Sequence, residues 1–144
     1  MIDRLLSTEM MDLVQRSLDA AAVSHKVISN NLANVDTPGF KRSDVQFSDK
    51  LKRAMEARRN APQHLAAART DSRHVEFEAG ADIDSIQPEV VTDVTSSLRN
   101  DGNNVDIDRE VSLLAQNTVW YQTLAQITQM QFSSLRTAIS EGKR

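Results

Sequence analysis

The chain has 144 residues, enough for one domain with a modest core, and 40% of them are hydrophobic, which argues against a chain that is disordered throughout. Aromatic residues make up only 4%, a share that is common in helical assemblies and low for a compact globular core. The net charge of −3 argues against a dedicated nucleic-acid binder, and the lack of cysteine excludes disulfides and cysteine-ligated metals.

An amphipathic helix is predicted near the N-terminus, at about residues 8–34. Its apolar seam advances in alternating steps of three and four residues, and all but one of its members are apolar: Met11, Val14, Leu18, Ala21, His25, Ile28, Leu32 and Val35. This spacing indicates a helix that packs along one face, as in a coiled coil. Ser7 or Thr8 is expected to cap its start.

Three asparagines, Asn30, Asn31 and Asn34, lie at the end of this helix. Asparagine is a poor residue inside a helix, because its short amide competes for backbone groups. The amides can satisfy carbonyls that are freed in the last helical turn, and they can also bind an adjacent chain. The sequence leaves both roles open.

A tight turn is predicted at Thr37–Phe40. Thr37 precedes Pro38 and is pushed away from helical angles, so the helix must stop before it. Pro38 and Gly39 suit the centre of a type II turn, since glycine accepts the positive φ that this turn requires. Phe40 is then an apolar anchor beyond the turn.

The middle of the chain is predicted to contain less regular structure. Residues 48–60 indicate a short basic helix, capped by Ser48 or Asp49, and residues 61–85 show no sustained period. β-branched residues flank Asn100–Asn103, whose Asp-Gly pair is a hairpin signal, so a small two-stranded ribbon is expected there.

A second long helix is predicted at about residues 107–140. Asp106 is the expected N-cap, and Asp108 and Glu110 fall in the first turn, where the helix dipole favours acids. Gly142 and two cations follow its end. Its seam again alternates steps of four and three: Ile107, Val111, Leu114, Thr118, Tyr121, Ala125, Thr128, Phe132, Leu135 and Ile139.

A further apolar stripe lies beside this seam, formed by Leu113, Trp120, Leu124 and Ile127. One partner helix covers a narrow seam, so some of the neighbours of this helix are expected to come from other chains. The residues expected at helix–helix interfaces are Leu18, Ile28, Leu32, Val111, Leu114, Tyr121, Leu124, Phe132 and Leu135.

The patterns together predict a mainly α fold. Long N- and C-terminal amphipathic helices pack as a coiled-coil-like pair, and a small irregular or β-hairpin segment lies between them. The expected divisions are residues 1–36, 37–106 and 107–144.

Charge is divided unevenly along the middle of the chain. Residues 41–75 hold nine Lys or Arg and four Asp or Glu, and residues 76–110 hold ten Asp or Glu and two Arg. Opposite patches of this kind suit contact with a second copy or a relative. They equally suit two solvated faces that fold back on each other.

No catalytic or metal-binding pattern is found. The spacings of His25, His64 and His74 fit no zinc or iron site, and the acids of residues 99–110 place their glycine wrongly for an EF-hand. Neither a glycine-rich phosphate loop nor a nucleophile elbow is present. The basic run at residues 50–59 lacks the interleaved aromatics of a nucleic-acid site. We therefore expect no enzyme, cofactor or metal.

The N-terminus carries acids and lacks the basic start and apolar run of a cleavable signal peptide. No stretch approaches the roughly 20 apolar residues of a membrane span. The protein is expected either to stay in the cytoplasm or to leave by a route that cleaves nothing.

The segment SNNLANVDTPGFKR, residues 29–42, resembles the signature of bacterial flagellar rod, hook and hook-associated axial proteins. In that family the N-terminal helix ends in an NxANxxTxGFK segment, and residues 103–140 are similar to the family's C-terminal NNVD turn and long helix. The residues assigned to this motif and to assembly are Asn30, Asn31, Leu32, Ala33, Asn34, Thr37, Pro38, Gly39, Phe40 and Lys41. Within the family, the short length and VDTPGFKRSDVQF are most similar to the proximal rod subunit.

The resemblance implies a structural subunit of the flagellar basal body, in the rod that crosses the periplasm. It implies polymerisation through the terminal helices, a connection from the MS ring and the adaptor FliE to the rest of the rod, and type III export with an uncleaved N-terminal signal. The implied partners are the export apparatus, copies of the chain and rod proteins of the FlgC, FlgF and FlgG type, without nucleic acid or a membrane span. The rival interpretation is a cytoplasmic helical interaction module or export chaperone.

Overall fold

The computed structural model describes residues 8–60 and 86–142. It confirms the mainly α fold, with long terminal helices and a small two-stranded sheet between them. The elements in chain order are α1 (Thr8–Ala33), β1 (Ser43–Gln46), α2 (Ser48–Asn60), β2 (Glu89–Thr92) and α3 (Ile107–Glu141).

The chain forms two compact units, one of residues 1–46 and 87–144 and the other of residues 47–86. The first unit contains α1, α3 and the sheet, and the second contains α2. The division into three segments made from the sequence stays a prediction.

Helices α1 and α3 pack against each other in antiparallel orientation. Asn31, near the end of α1, bonds to Glu110 in the first turn of α3, and Asn117 further along α3 bonds to Ala21 further back on α1. With 26 and 35 residues, the helices are about 39 and about 52 Å long. We call the Asn31 end of this pair its closed end and the other its open end.

Small residues line the face of α1 that is buried. Ser17, Ala20 and Ala21 are all buried, and the amide of Asn117 reaches the carbonyl of Ala21 at 3.0 Å. Side chains of this size allow a helix backbone to be approached closely. Larger buried apolar residues lie on either side of them at Val14 and Ile28, so α1 keeps much of its predicted seam.

The buried face of α3 is rotated from the predicted seam by about one residue. Its buried members are Glu110, Leu124 and Gln131, whereas the seam residues Val111 and Phe132 are exposed. Two of these three buried residues are polar, so the apolar seam read from the sequence misses the buried face, and only Leu124 of the further stripe lies on it.

The predicted ribbon around Asn100–Asn103 is wrong, although the turn exists. Gly102 has φ 83° and its N–H donates to the carbonyl of Arg99 at 3.0 Å. The β-branched residues of β2 pair instead with β1, antiparallel, in the register Ser43↔Thr92 to Gln46↔Glu89. The residues that follow the turn are held by side-chain bonds rather than by a strand.

Helix α3 begins at the predicted N-cap. The Asp106 carboxylate accepts from the backbone N–H groups of Asp108 and Arg109, at 3.0 and 3.3 Å, which confirms the N-cap. At the other end the N–H of Gly142 donates to the carbonyl of Ala138 at 3.1 Å. The two cations that follow Gly142 lie outside the described residues.

In the second unit, α2 spans the predicted residues 48–60, with Phe47 and Ala54 buried. The predicted loop at residues 61–85, with His64 and His74, lies outside the described residues, as does the possible cap Ser7. Within the described part of the chain, no helix is long and apolar enough to cross a membrane.

Candidate functional site

The turn after α1 has the predicted geometry. The N–H of Phe40 donates to the carbonyl of Thr37 at 3.2 Å, and Gly39 has φ 72°. These values are those of a type II turn, with Pro38 and Gly39 at its centre. Pro38 and Gly39 are exposed, and Phe40 is half-buried.

Asn31 binds the start of β1 as a neighbouring strand would. Its Nδ2 donates to the carbonyl of Ser43 at 2.8 Å, and its Oδ1 accepts from the N–H of Ser43 at 3.0 Å. The second Nδ2 proton goes to Glu110 Oε2 at 3.0 Å. Because Asn31 is 0% exposed and both donors are used within the chain, it is not free to bind a neighbouring subunit.

Glu110 and Arg42 complete this contact. Arg42 Nε donates to Glu110 Oε1 at 3.0 Å, so each carboxylate oxygen of the buried Glu110 has a partner. Arg42 is also buried, and its Nη2 lies 3.3 Å from Asp44 Oδ2. We call Asn31, Arg42 and Glu110 the clasp, because they join the end of α1, the start of β1 and the first turn of α3.

Asn103 binds the segment that follows α1 from a distant part of the sequence. Its Nδ2 donates to the carbonyls of Asn34, Val35 and Thr37 at 2.9–3.1 Å. Its Oδ1 accepts from the N–H of Val105 at 2.7 Å, so this buried amide is used at both ends. Three carbonyls of the segment that follows α1 are thus satisfied by a side chain 66 to 69 positions away.

Asn104 does the same for the start of β1. Its Oδ1 accepts from the N–H of Arg42 at 2.7 Å. Its Nδ2 donates to the carbonyl of Asp93 and to Ser96 Oγ at 2.8 and 2.9 Å. Two adjacent asparagines therefore fasten the loop before α3 to both sides of the turn.

Further bonds join this loop to the turn. Lys41 Nζ donates to the carbonyl of Ser96 at 2.7 Å, and the N–H of Gly39 donates to the carbonyl of Asp101 at 3.0 Å. Arg99 Nη1 donates to Asp36 Oδ1 at 3.1 Å. The two segments that carry the family resemblance thus form one hydrogen-bonded unit at the closed end.

The other asparagines of the motif have local roles. Asn34 Nδ2 donates to the carbonyl of Asn30 at 2.8 Å, and Asn34 Oδ1 accepts from Thr37 Oγ1 at 3.2 Å. Asn30 and Ala33 are exposed, and Leu32 is half-buried. A role of these surface residues in assembly stays a prediction.

Hydrogen bonds lower the pKa of Asp93, which lies in the loop before α3. The hydroxyls of Ser96 and Thr95, and then their backbone N–H groups, donate to its carboxylate. These bonds favour the charged form and hold the pKa of Asp93 well below its ordinary value. The loop is thereby folded around a carboxylate that is ionised at neutral pH.

The residues assigned to helix–helix interfaces divide into three groups. Ile28 and Leu124 are buried, and the half-buried ones are Leu18, Leu32, Leu114 and Leu135. The exposed ones, at 48%, 47% and 56%, are Val111, Tyr121 and Phe132. For these three an interface would lie outside this chain, and their assignment stays a prediction.

Helix α3 also lacks charge over most of its length. Residues 111–135 contain no Asp, Glu, Lys or Arg, in a chain in which 26% of residues are charged. Its hydroxyls are largely used internally: Thr118, Thr123 and Thr137 each donate to the carbonyl four residues earlier. Such side chains can be buried against a neighbour without leaving a donor unpaired.

Sequence reasoning missed the clasp residues Arg42 and Glu110 and the roles of Asn103 and Asn104. The sequence pattern assigns Glu110 only a helix-dipole role. One signal was present, because Glu110 lies four residues before Leu114 and therefore on the same face of α3. Nothing in the spacing indicates that Arg42 would be buried beside it.

The described residues form no cluster of metal ligands. Within residues 8–60 and 86–142, no group of three His, Asp or Glu side chains is arranged to hold a metal ion. The buried polar groups of the clasp are bonded to one another and to the backbone of Ser43.

Comparison with known proteins gives consistent matches. Residues 14–41 match the family model described as flagella basal body rod protein. The chain is 39% identical over 130 residues to the flagellar basal body rod protein FlgB of Bacillus subtilis, which covers 90% of this chain and 92% of the relative. It is 37% identical over 129 residues to FlgB of Borrelia hermsii, covering 90% and 94%. FlgB of Borreliella burgdorferi is 33% identical over the same length, with the same coverage. The chain therefore belongs to the FlgB family of flagellar basal body rod proteins, and it is a structural subunit of the rod rather than an enzyme.

Proposed function

We propose that this subunit polymerises into the proximal rod through its terminal helices, and that it connects the MS ring and the adaptor FliE to the rest of the rod. The other proposed neighbours are copies of the chain and rod proteins of the FlgC, FlgF and FlgG type. Delivery through the flagellar type III export apparatus to a rod that crosses the periplasm belongs to the same proposal.

The observation that carries this proposal is the exposed, uncharged surface of α3. Tyr121 and Phe132 are 47% and 56% exposed on a face that carries no charge from residue 111 to 135. Solvent-facing sides of helices usually carry charged residues, and contiguous exposed apolar surface marks interaction sites. Coiled-coil-like packing of this face on helices of neighbouring subunits would remove it from water.

The closed end supports the same function in a different way. The clasp and the two asparagines of the loop hold the turn and the loop in one arrangement, so the ends of α1 and α3 are presented as a rigid pair. A rigid element loses little conformational entropy when it joins an assembly. In this proposal the polar residues of the closed end fix the arrangement of the two helices, and the apolar face of α3 contacts the neighbouring subunits.

The test is incorporation into basal bodies. Phe132→Gln and Tyr121→Gln should leave the helical circular dichroism of the purified chain unchanged, and the combined variant should reduce its amount in isolated basal bodies at least tenfold. Met55→Gln is the matched control, since Met55 is 50% exposed but lies in the second unit. Normal incorporation and motility of the combined variant would contradict polymerisation through this face.

A cytoplasmic adaptor or export chaperone is the second candidate from the sequence, because long amphipathic helices also suit such proteins. The family assignment favours the rod. A chaperone should remain in the cytoplasm as a stable dimer and should be missing from purified basal bodies, so cell fractionation separates the two functions.

A further inference from the structure

Gln131 is a buried amide that has no partner. It is 5% exposed, and neither Nε2 nor Oε1 makes a hydrogen bond. Every other buried side-chain amide of the described chain, at Asn31, Asn103 and Asn104, is bonded at both ends. A buried donor and acceptor that both lack partners destabilise the arrangement that buries them.

The position of Gln131 is at the open end of the helix pair. It lies 14 residues beyond Asn117, about 21 Å further along α3, and α1 runs in the opposite direction from Ala21. Gln131 is therefore level with the first turn of α1. The closed end has its polar groups fully paired, and the open end has an unpaired amide.

The exposed side chains of α3 indicate which group could form the missing hydrogen bonds of the Gln131 amide. An amide offers both donors and an acceptor, and another amide matches both. The same uncharged stretch of α3 carries four exposed glutamines, whose side chains face away from this chain: Gln116, Gln122, Gln126 and Gln129. A second copy of α3 thus presents the matching group on a surface without charges.

We propose that Gln131 is a recognition residue of the rod subunit, and that it pairs with a glutamine on α3 of a second copy when the open end of the helix pair separates. This inference rests on the proposed polymerisation. The unpaired amide favours separation of the first turn of α1 from α3, and the neighbouring copy supplies the missing hydrogen bonds. The pairing also sets the register of the two copies, as a buried polar residue does in coiled coils.

The first experiment replaces the amide by an apolar side chain of similar shape. In the purified free chain, Gln131→Met should slow hydrogen exchange at residues 10–17 by about tenfold, because the closed arrangement no longer buries unpaired groups. Gln46→Met, at an exposed glutamine outside α3, should leave exchange at residues 10–17 unchanged. Equal or faster exchange in Gln131→Met would overturn the inference.

The second experiment measures incorporation into basal bodies for the same two variants. Gln131→Met should be incorporated at least tenfold less than Gln46→Met, although it is the more stable chain. Equal incorporation of the two variants would overturn the recognition role. Failure of the wild-type chain and Gln46→Met to enter basal bodies would instead overturn the proposed polymerisation, and this inference with it.

The third experiment identifies the partner by replacing each of the four exposed glutamines of α3 with methionine in turn. One of the four variants should be incorporated at least tenfold less than Gln46→Met, because it leaves Gln131 of the neighbouring copy unpaired. Adding Gln131→Met to that variant should restore part of the loss, since neither copy then buries an unpaired amide. Normal incorporation of all four variants would overturn the pairing with a second copy.

Discussion

Asn31 and Glu110 are 79 positions apart in the sequence and meet through a hydrogen bond of 3.0 Å between Nδ2 and Oε2. Both side chains are fully buried. The bond joins the last turn of α1 to the first turn of α3, so a polar contact determines how the two long helices are aligned. Removal of either side chain leaves the other with an unpaired buried group, which makes the contact strongly dependent on both residues.

Asn31→Ala should lower the free energy of unfolding by about 2–4 kcal/mol, because Glu110 and both backbone groups of Ser43 lose a partner. Asn30→Ala is the control: Asn30 is exposed, and its replacement should cost less than about 0.5–1 kcal/mol. Urea denaturation of the purified variants measures both. Similar losses in the two variants would contradict the role given to the Asn31 amide.

The buried ion pair gives a second prediction. Glu110→Leu should destabilise the chain by about 3–5 kcal/mol, because the charge of Arg42 is then buried without its partner. Combining it with Arg42→Leu should give a smaller loss than the sum of the single variants, as a double-mutant cycle in urea would show. Asp44→Asn, at the exposed second partner of Arg42, should change stability by about 0–1 kcal/mol. Additive losses for Glu110 and Arg42 would argue against a coupled pair.

The extent of the helices was accessible from the sequence, because it depends on local signals. The alternation of apolar residues, the Asp106 cap and the Thr37-Pro38 stop bring the predicted ends within one residue of those observed, at Ala33 and Glu141. Each of these signals acts over a few neighbouring residues. The turn at Gly39 was predictable for the same reason.

The partners of the polar residues were not accessible, because they depend on contacts between distant segments. The predicted ribbon at Asp101-Gly102 had a sound local turn signal, but β2 found a better partner in β1. The buried face of α3 differs from the seam predicted from the sequence, because Glu110 and Gln131 are polar and the periodicity of apolar residues does not include them. Burial of a charge such as Glu110 requires Arg42 beside it, which spacing along one helix does not reveal.

Gly39 provides a test of backbone strain separate from packing. Its φ is 72°, and a Cβ placed there meets no atom within 4 Å, so a substitution acts through the backbone alone. Gly39→Val should lower the free energy of unfolding by about 1–2 kcal/mol, and Gly39→Asn by less, since asparagine tolerates this conformation. Thermal unfolding of the two variants gives the comparison. Reduced rod assembly should accompany the loss of stability in Gly39→Val. Equal stability of Gly39→Val and the wild-type chain would refute the requirement for a positive φ at this position.

Asp93 makes stability depend on pH in a defined direction. Its pKa is depressed in the folded chain by the Ser96 and Thr95 bonds, so its contribution is fully present above the ordinary pKa of the carboxyl group. It is lost as the pH falls through that value, about 3.9, towards the folded pKa. The difference in melting temperature between the wild-type chain and Asp93→Asn should therefore shrink as the pH is lowered from about 5 to about 3. A difference that is constant over this range would show that the bonds do not favour the carboxylate.

The two ends of the helix pair should differ in stability in the free subunit. At the closed end the clasp joins the two helices and Asn103 binds the segment after α1, whereas beyond Leu124 the buried residue of α3 is the unpaired Gln131. Ordering costs roughly 1–2 kcal/mol per residue in backbone entropy, and a largely exposed helix face offsets little of it. The open end is therefore expected to separate and refold many times before the closed end does.

Hydrogen exchange on a dilute, proven monomer measures this gradient directly. Amides at residues 28–33 and 110–117 should be strongly protected, and those at residues 10–14 and 128–139 should exchange much faster, because local opening exposes them without global unfolding. Asn31→Ala should reduce protection at the closed end and remove most of the difference. The competing possibility is a helix pair that is stable along its whole length, and strong, equal protection at both ends would establish it. The gradient would mean that the subunit keeps its clasp folded and completes the open end only where a neighbouring subunit covers α3.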